Sequence, residues 1–241
     1  MKYKVSIVIV TFKSGKILKK SLKSIYSSTL KPVEIIIVNN GPKEDLEYIQ
    51  TLKYPNFKII QNKQNVGFAK ANNQGIKIAK GKYILIMNPD VILKKDTLSK
   101  CFNFMEKNKK VNILGCKLKN SSTKKIEDSA RKFPTLASLF LRRFLFKKTY
   151  DYPLTKINNL IKVDWVCGAF MFMRKKYLFD ENYFLYFEDV DLCRKVENVF
   201  YHPKIIAFHI PKRESRRNLK FFWVHLKSML YYFRKWGFKL F

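Results

Sequence analysis

Acidic side chains are scarce in this chain, 18 Asp and Glu against 49 Lys and Arg, so the place where they gather is informative. Asp180, Glu181, Glu188, Asp189 and Asp191 fall together in FDENYFLYFEDVDLC, among aromatic and apolar residues. Carboxylates crowded into such a setting lose hydration and repel one another, which raises the proton affinity of at least one. The pattern has Glu188 and Asp189 opening a helix, where free N–H groups and the dipole hold an anion in place. That is a setting for a functional carboxylate. The competing use is a structural ion cluster, for which the chain has ample Lys and Arg.

Asp90 is the second carboxylate of interest. It follows an apolar run, and Pro89 fixes the backbone just before it. A lone carboxylate at the carboxyl end of a strand suits a hard divalent cation that keeps its waters and bridges phosphates. Asn-Pro-Asp is also an ordinary turn sequence. His209 closes the run KIIAFHI, where a histidine is ordinarily a core or capping residue; it gains a chemical role only beside a metal at Asp90.

These residues need a scaffold, and the first half supplies a regular one. The runs VSIVIV (5–10), VEIIIV (33–38), FKII (57–60) and YILIM (83–87) have the length and β-branching of buried strands. Between them, 14–28 carries apolar residues at helical spacing behind Ser14 as a cap, and the polar segment 43–52 reads as a helix. A further helix begins after Asn65 as its cap and stops at Lys80-Gly81. This alternation predicts βαβ units and a parallel sheet. Ligands bind at the carboxyl ends of strands in such sheets. Those ends carry Thr11, Asn39-Asn40-Gly41, Asn62 to Gly67, and Asn88-Pro89-Asp90. Asn and Gly also serve tight turns. In the second half, 111–118 reads as a strand, 134–146 as a short helix, and 163–173 as a buried strand pair.

The formal net charge of +31 comes mostly from Lys, 40 of the 49 cations, spread through every segment. A diffuse Lys bias is a solvated surface more than a nucleic-acid footprint, which concentrates Arg. There is no GxGxxG and no P-loop, and no apolar run long enough to span a membrane. Four scattered cysteines are read as buried thiols of a reducing compartment. Near the C-terminus, Arg213, Lys220, Lys227 and Arg234 recur every seven residues, while Phe222, Leu226, Met229, Phe233 and Trp236 form an apolar stripe. A helix over 215–236 would suit an anionic bilayer surface, or it would pack on the core.

Eight motifs in order, VSIVIVTF, EIIIVNNG, NVGFAKANNQGI, GKYILIMNPD, SARKFP, DWVCGAFMFMR, FLYFEDVDLC and FHI, resemble the inverting family 2 glycosyltransferases. The likeness runs over roughly residues 4–210 and is nearest the rhamnosyltransferase-like enzymes of bacterial surface polysaccharide synthesis. It implies the α/β GT-A fold: a nucleotide-sugar half at about 1–116, an acceptor half at about 117–212, and a basic amphipathic segment at 213–241. Asp189 matches the general base, with Glu188 beside it ordering the acceptor. Asp90 and His209 match ligands of Mg²⁺ or Mn²⁺. Thr11, Asn39, Asn40, Asn65, Gly67, Asn72, Asn88 and Arg131 fall at donor-binding positions, and Trp165 and Asp191 at acceptor-binding ones. Asn39 stands where relatives commonly have Asp to hold the nucleobase, and Asn88 where the metal motif more often begins with Asp. After His209 the chain has IPKRESRR in place of a Gly-rich loop.

The resemblance implies transfer of a sugar from dTDP-rhamnose or a UDP-sugar to a hydroxyl of a growing, lipid-linked bacterial glycan. The expected partners are that donor, that acceptor and an anionic membrane surface, with no specific nucleic acid. The expected location is cytoplasmic, peripheral on the inner face of the cytoplasmic membrane. Two rival readings are a basic nucleic-acid-binding protein, which leaves the acid cluster unexplained, and an inactive membrane-associated scaffold, against which Asp90 and Asp189 argue.

Overall fold

A computed structural model describes residues 2–46, 49, 56–139, 151–210 and 219–238. The four runs expected as buried strands form β1 (Tyr3–Thr11), β2 (Val33–Asn39), β3 (Phe57–Gln61) and β4 (Gly81–Met87). They lie parallel in the order β3-β2-β1-β4. The chain winds outward from β1 through β2 to β3, then returns to place β4 on the other side of β1. That reversal opens a crevice at the carboxyl ends of β1 and β4. The register sets Thr11 opposite Asn39, and Asn39 opposite Gln61, so the polar strand ends share one level.

Alternation along each strand feeds two apolar layers. Val5, Ile7 and Ile9 of β1 face one side with Leu18, Leu22 and Ile25 of α1 (Gly15–Tyr26), whereas Val8 faces the other. There it meets Ala69, Ala71 and Ile76 of α2 (Phe68–Ile78). Each fully buried Ile, Leu or Val contributes about 1.5–3 kcal/mol, so a sheet covered on both faces tolerates polar strand ends. Gly75 lets α2 sit tight on the sheet, since a Cβ there would lie 2.5 Å from Val8 Cγ1.

The second half extends the same sheet. β5 (Val91–Leu93), α3 (Thr97–Lys107), β6 (Ile113–Asn120), β7 (Ala130–Arg131), β8 (Ile161–Lys162), β9 (Trp165–Val166), β10 (Phe170–Arg174), α4 (Glu188–Val196), β11 (Val199–His209) and α5 (Leu219–Trp236) follow in order. The order continues β4-β10-β6-β11-β5, with β10 antiparallel to both neighbours and β8 pairing with β11. β7 and β9 form a separate two-stranded ribbon.

Several local expectations shift. Ser14 sits at the cap position of α1 without a side-chain cap hydrogen bond. Gly67, not Asn65, caps α2, and the helix ends at Ile78, with Gly81 already in β4. The 163–173 stretch divides between two sheets rather than forming one pair, because Val166 and Phe170 flank a turn closed by Phe170 N–H donating to the Cys167 carbonyl. Of the helix expected at 43–52, residues 43–46 form a 3₁₀ turn, and most of the rest lies outside the described residues. Residues 140–146 and Arg213 also lie outside them.

The C-terminal helix is present, and it packs. Tyr232 and Phe233 are buried in the core layer of α2 and α4, while Leu219, Phe222, Trp223 and Leu230 are exposed. No helix among the described residues is long and apolar enough to cross a membrane.

Candidate active site

The acid cluster opens α4 as its sequence implied, and the backbone before it is strained. Tyr186 and Phe187 take φ of 70° and 67°, left-handed values that cost non-glycine residues on the order of 1–3 kcal/mol each. The turn aims the first residues of α4 into a cleft of about 520 Å³, whose lining includes Arg131, Trp165, Tyr186, Glu188, Asp189 and His225. Asp189 is held from two sides: Gly168 N–H donates to Oδ2 at 2.8 Å and Val190 N–H donates to Oδ1 at 2.9 Å. Glu188 is buried, and its Oε2 has no hydrogen-bond partner.

Burial dominates the ionisation of this pair. It pushes Glu188 well above the usual carboxylate range, and the neighbouring Asp189 charge adds to the effect. Burial also raises Asp189, against the pull of the Gly168 and Val190 N–H groups and the Arg131 charge. Both carboxylates therefore bind a proton more readily than in water, as a base working near neutrality requires. Cys167 lines the same cleft, but burial and the Asp189 charge push its thiol up to about 11, so it is no thiolate nucleophile at neutral pH.

Around these acids the walls are aromatic and basic. The Arg131 guanidinium lies over the Trp165 ring, 5.3 Å from its centroid, and the Trp165 indole N–H donates to the Lys132 carbonyl. Arg131, matched above to the donor, thus shares a cleft with Trp165 and Asp189. His225 of α5 packs against Tyr186 and Phe187 at 5.2 and 5.3 Å between ring centroids. Nothing in the sequence marked His225 or the Gly168 N–H as part of this cleft.

Asp191 departs from its expected place. It is 1% exposed and faces α5, accepting hydrogen bonds from Trp236 Nε1 at 2.7 Å, Lys235 Nζ at 3.0 Å and Tyr183 at 3.2 Å. Two residues, about 200° around the helix, separate its direction from that of Asp189, so it anchors the last helix and turns away from the cleft.

At the crevice, the polar strand ends divide into spent and unspent groups. Both ends of the Asn39 amide are engaged, with Nδ2 donating to the Pro42 carbonyl and Gln61 Oε1, and Oδ1 accepting from Gly41 N–H. Asn39 is fully buried and shapes its loop, so no amide edge is left for a base. Asn40 bridges the Gly67 carbonyl and the Asn62 side chain, and Asn65 Oδ1 accepts the Gly67 N–H. Asn40 and Asn65 still line a concavity of about 740 Å³ over the ends of β1 to β3, together with Phe12 and Lys43. Gly67 has φ of +89°, and a Cβ there would lie 2.5 Å from the Phe184 carbonyl oxygen. Only glycine fits this contact, which ties α2 to the segment leading into α4.

Thr11 Oγ1, Asn72 Oδ1 and Asp90 Oδ1 are buried without a hydrogen-bond partner, as is Glu188 Oε2. Orphaned buried polar atoms are rare in native proteins, and four of the six among the described residues fall on site candidates, Ser21 Oγ and Tyr201 Oη being the other two. Asn88 lies half-buried beside Asp90 at the end of β4. The antiparallel pairing of β5 with β11 sets Val91 opposite His209, which carries the His209 ring to Asp90. Nε2 lies 3.3 Å from Asp90 Oδ1, and Nδ1 lies 2.9 Å from Glu127 Oε2. Burial opposes charge on this ring, but the Asp90 and Glu127 carboxylates outweigh it and hold His209 above its usual range.

Asp90 and His209 fit a divalent cation in one respect, since an unpartnered carboxylate oxygen and a ring nitrogen converge at part-buried positions. Among the described residues no three His, Cys, Asp or Glu side chains form a complete cage. Two protein ligands with substrate oxygens and water completing the shell is the ordinary arrangement for Mg²⁺ at a phosphate site.

The family model described as "Glycosyl transferase family 2" matches residues 6–181. Rhamnosyltransferase WbbL of Escherichia coli (strain K12) is 31% identical over 183 residues, covering 69% of this chain and 69% of that protein. Among solved structures, GalNAc-T7 with UDP, GalNAc and Mn²⁺ superposes with a TM-score of 0.70 at 17% identity, covering 90% of this chain and 45% of that one. S. aureus TarS 1-349 in complex with UDP-GlcNAc superposes with a TM-score of 0.63 at 17% identity, covering 88% of this chain and 60% of that one. At such identity the structural likeness shows the fold, which is GT-A, and this chain spans about half the length of those two structures.

Proposed function

Because the chain belongs to glycosyl transferase family 2, on its rhamnosyltransferase-like side, we propose that it is an inverting, metal-dependent transferase moving a sugar from dTDP-rhamnose or a UDP-sugar to a hydroxyl of a growing, lipid-linked bacterial glycan. One observation carries the reading: a carboxylate fixed by two backbone N–H groups, Asp189, stands with Glu188 in a cleft walled by Trp165 and Arg131. A sugar hydroxyl in that cleft can stack its ring on the indole while Asp189 removes its proton. Each Asp189 oxygen accepts one N–H and keeps a lone pair for this task.

The proton leaves as the acceptor oxygen attacks the anomeric carbon, and the nucleoside diphosphate departs from the opposite face. One displacement at one carbon inverts its configuration and needs no covalent intermediate. Glu188, with its raised proton affinity, supplies a donor or acceptor to a neighbouring hydroxyl and so orders the acceptor. On the donor side, Asn40, Asn65, Gly67 and Asn88 contribute polar groups at the strand ends, and Thr11 and Asn72 carry buried, unpartnered side-chain oxygens. Asp90 and His209 would hold Mg²⁺ or Mn²⁺, which when bound neutralises charge developing on the leaving diphosphate.

The exposed face of α5 supports a peripheral site on an anionic bilayer. Phe222 and Trp223 are 48% and 64% exposed, with Lys227 exposed one turn further along the helix and Arg234 exposed near its end. Aromatic side chains beside cations favour the interfacial zone of anionic lipids. A face of this kind next to His225, at the cleft wall, suits an acceptor carried on a lipid, on the inner side of the cytoplasmic membrane.

A panel of thymidine- and uridine-diphosphate sugars, with Mn²⁺ or Mg²⁺, tests the reading by binding and by slow hydrolysis without acceptor. Binding of at least one member, weakened by chelator, is the expected result. Binding of none contradicts it.

A further inference from the structure

We propose that Glu127 is a positioning residue for the cation site, holding the His209 ring so that Nε2 aims a lone pair beside Asp90 Oδ1. The proposal rests on the reading that Asp90 and His209 hold a divalent cation, and it adds a residue that no motif marked. The Glu127 carboxylate lies 2.9 Å from His209 Nδ1. A neutral imidazole that donates its Nδ1–H to this carboxylate must carry its lone pair on Nε2. Nε2 then faces Asp90 Oδ1 at 3.3 Å. Without a metal a proton on Nε2 bridges these two atoms, and a divalent cation would take that proton's place.

The backbone around Glu127 is built to keep it there. Glu127 N–H donates to the Leu118 carbonyl at 2.9 Å, Ile126 bridges to Lys119, and Ser121 N–H donates to the His209 carbonyl at 2.8 Å. The 118–127 turn is therefore tied both to β6 and to the end of β11, and Glu127 is carried to the ring by main-chain bonds. Ring orientation by a carboxylate on the second nitrogen is a general feature of histidine ligands, and its loss costs roughly 10–100-fold in metal affinity. The alternative use of the same contacts is a clip holding the turn to β11. That use predicts a loss of stability with no change in cation affinity.

Mn²⁺ titration of the full chain, followed by the electron paramagnetic resonance signal of free Mn²⁺, separates the two. Thermal unfolding in chelator confirms that each variant is folded. The Glu127→Ala variant should bind Mn²⁺ about 10–100-fold more weakly than the native chain. Glu127→Gln, whose amide oxygen accepts the same N–H, should recover most of that loss. In a His209→Ala background, Glu127→Ala should add nothing, because the effect runs through the ring. Equal affinity of Glu127→Ala and the native chain overturns the proposal alone, as does a Glu127→Ala loss that persists without His209. A native chain that binds no Mn²⁺ overturns the cation reading itself.

Discussion

Asp189 and Gly168 are joined by a hydrogen bond of 2.8 Å, in which the glycine N–H donates to the carboxylate. The bond ties the first turn of α4 to the bend between β9 and β10. A Cβ on Gly168 would lie 3.2 Å from the Phe68 ring, so the same bend packs against the first residue of α2. Three segments, the start of α2, the β9–β10 bend and the start of α4, thereby meet around one carboxylate. This carboxylate is positioned by main chain, which leaves little freedom to misplace it.

Removing the nearby cation should move the pH profile. Arg131 favours the ionised form of Asp189, against the burial that raises its proton affinity. In Arg131→Ala that support is lost and Asp189 binds its proton still more readily. The acidic limb of the transfer rate against pH should therefore shift to higher pH. A rate profile with an unmoved acidic limb would show that Arg131 does not act on the base.

Glu188 should cost stability when it is charged. Its folded-state proton affinity is raised, first by burial and then by Asp189, so the folded chain binds this proton more tightly than the unfolded chain does. Stability from this group is then full below the ordinary carboxylate value and is lost as pH rises from there through the raised folded-state value. Thermal unfolding of Glu188→Gln should exceed that of the native chain at pH 8, with the gap closing toward pH 4. Equal melting temperatures at both pH values would contradict the assignment.

Acid should loosen the last helix. Burial raises Asp180, but the Lys235 ammonium, the Asn182 N–H and the Tyr231 hydroxyl outweigh it and hold the carboxyl at about 2. Its contribution is present above the ordinary Asp value and is lost as pH falls toward about 2. Tryptophan fluorescence, with Trp236 bonded to Asp191 and Trp223 exposed on the same helix, reports the docking of α5. The signal should change over that acid range in the native chain, and Lys235→Met should shift the change to higher pH.

Gly67→Ala should be severe for so small a change. The backbone there has φ of +89°, and the added methyl would meet the Phe184 carbonyl at 2.5 Å. Strain and clash together should cost at least about 1–3 kcal/mol, read as a lower unfolding midpoint in urea. Donor binding should weaken with it, since the α2 terminus has to move.

Much of the scaffold was legible because its physics is local. β1, β2 and β4 are β-branched or apolar runs buried on both faces, and that composition alone separates them from amphipathic helices. Glu188 and Asp189 stood out because acids are rare in this chain. Contacts made by distant segments were not legible. Asp191 looked like one more member of the acid cluster until Lys235 and Trp236 closed on it from the far end of the chain. Asn39 carried the right chemistry for a base contact, yet Pro42 and Gln61 occupy its amide nitrogen. The Gly168 donor is a main-chain group, which no residue type announces. Glu127 reached His209 only through the pairing of the 118–127 turn with β6 and β11.

The central claim is that Asp189 takes the acceptor proton in an inverting transfer. The most direct measurement compares transfer rate and donor affinity in the native chain and in Asp189→Asn, using whichever nucleotide sugar the panel identifies. Loss of the base should lower the rate by roughly 10²–10⁴-fold while donor affinity stays unchanged. Near-native turnover by Asp189→Asn would contradict the account.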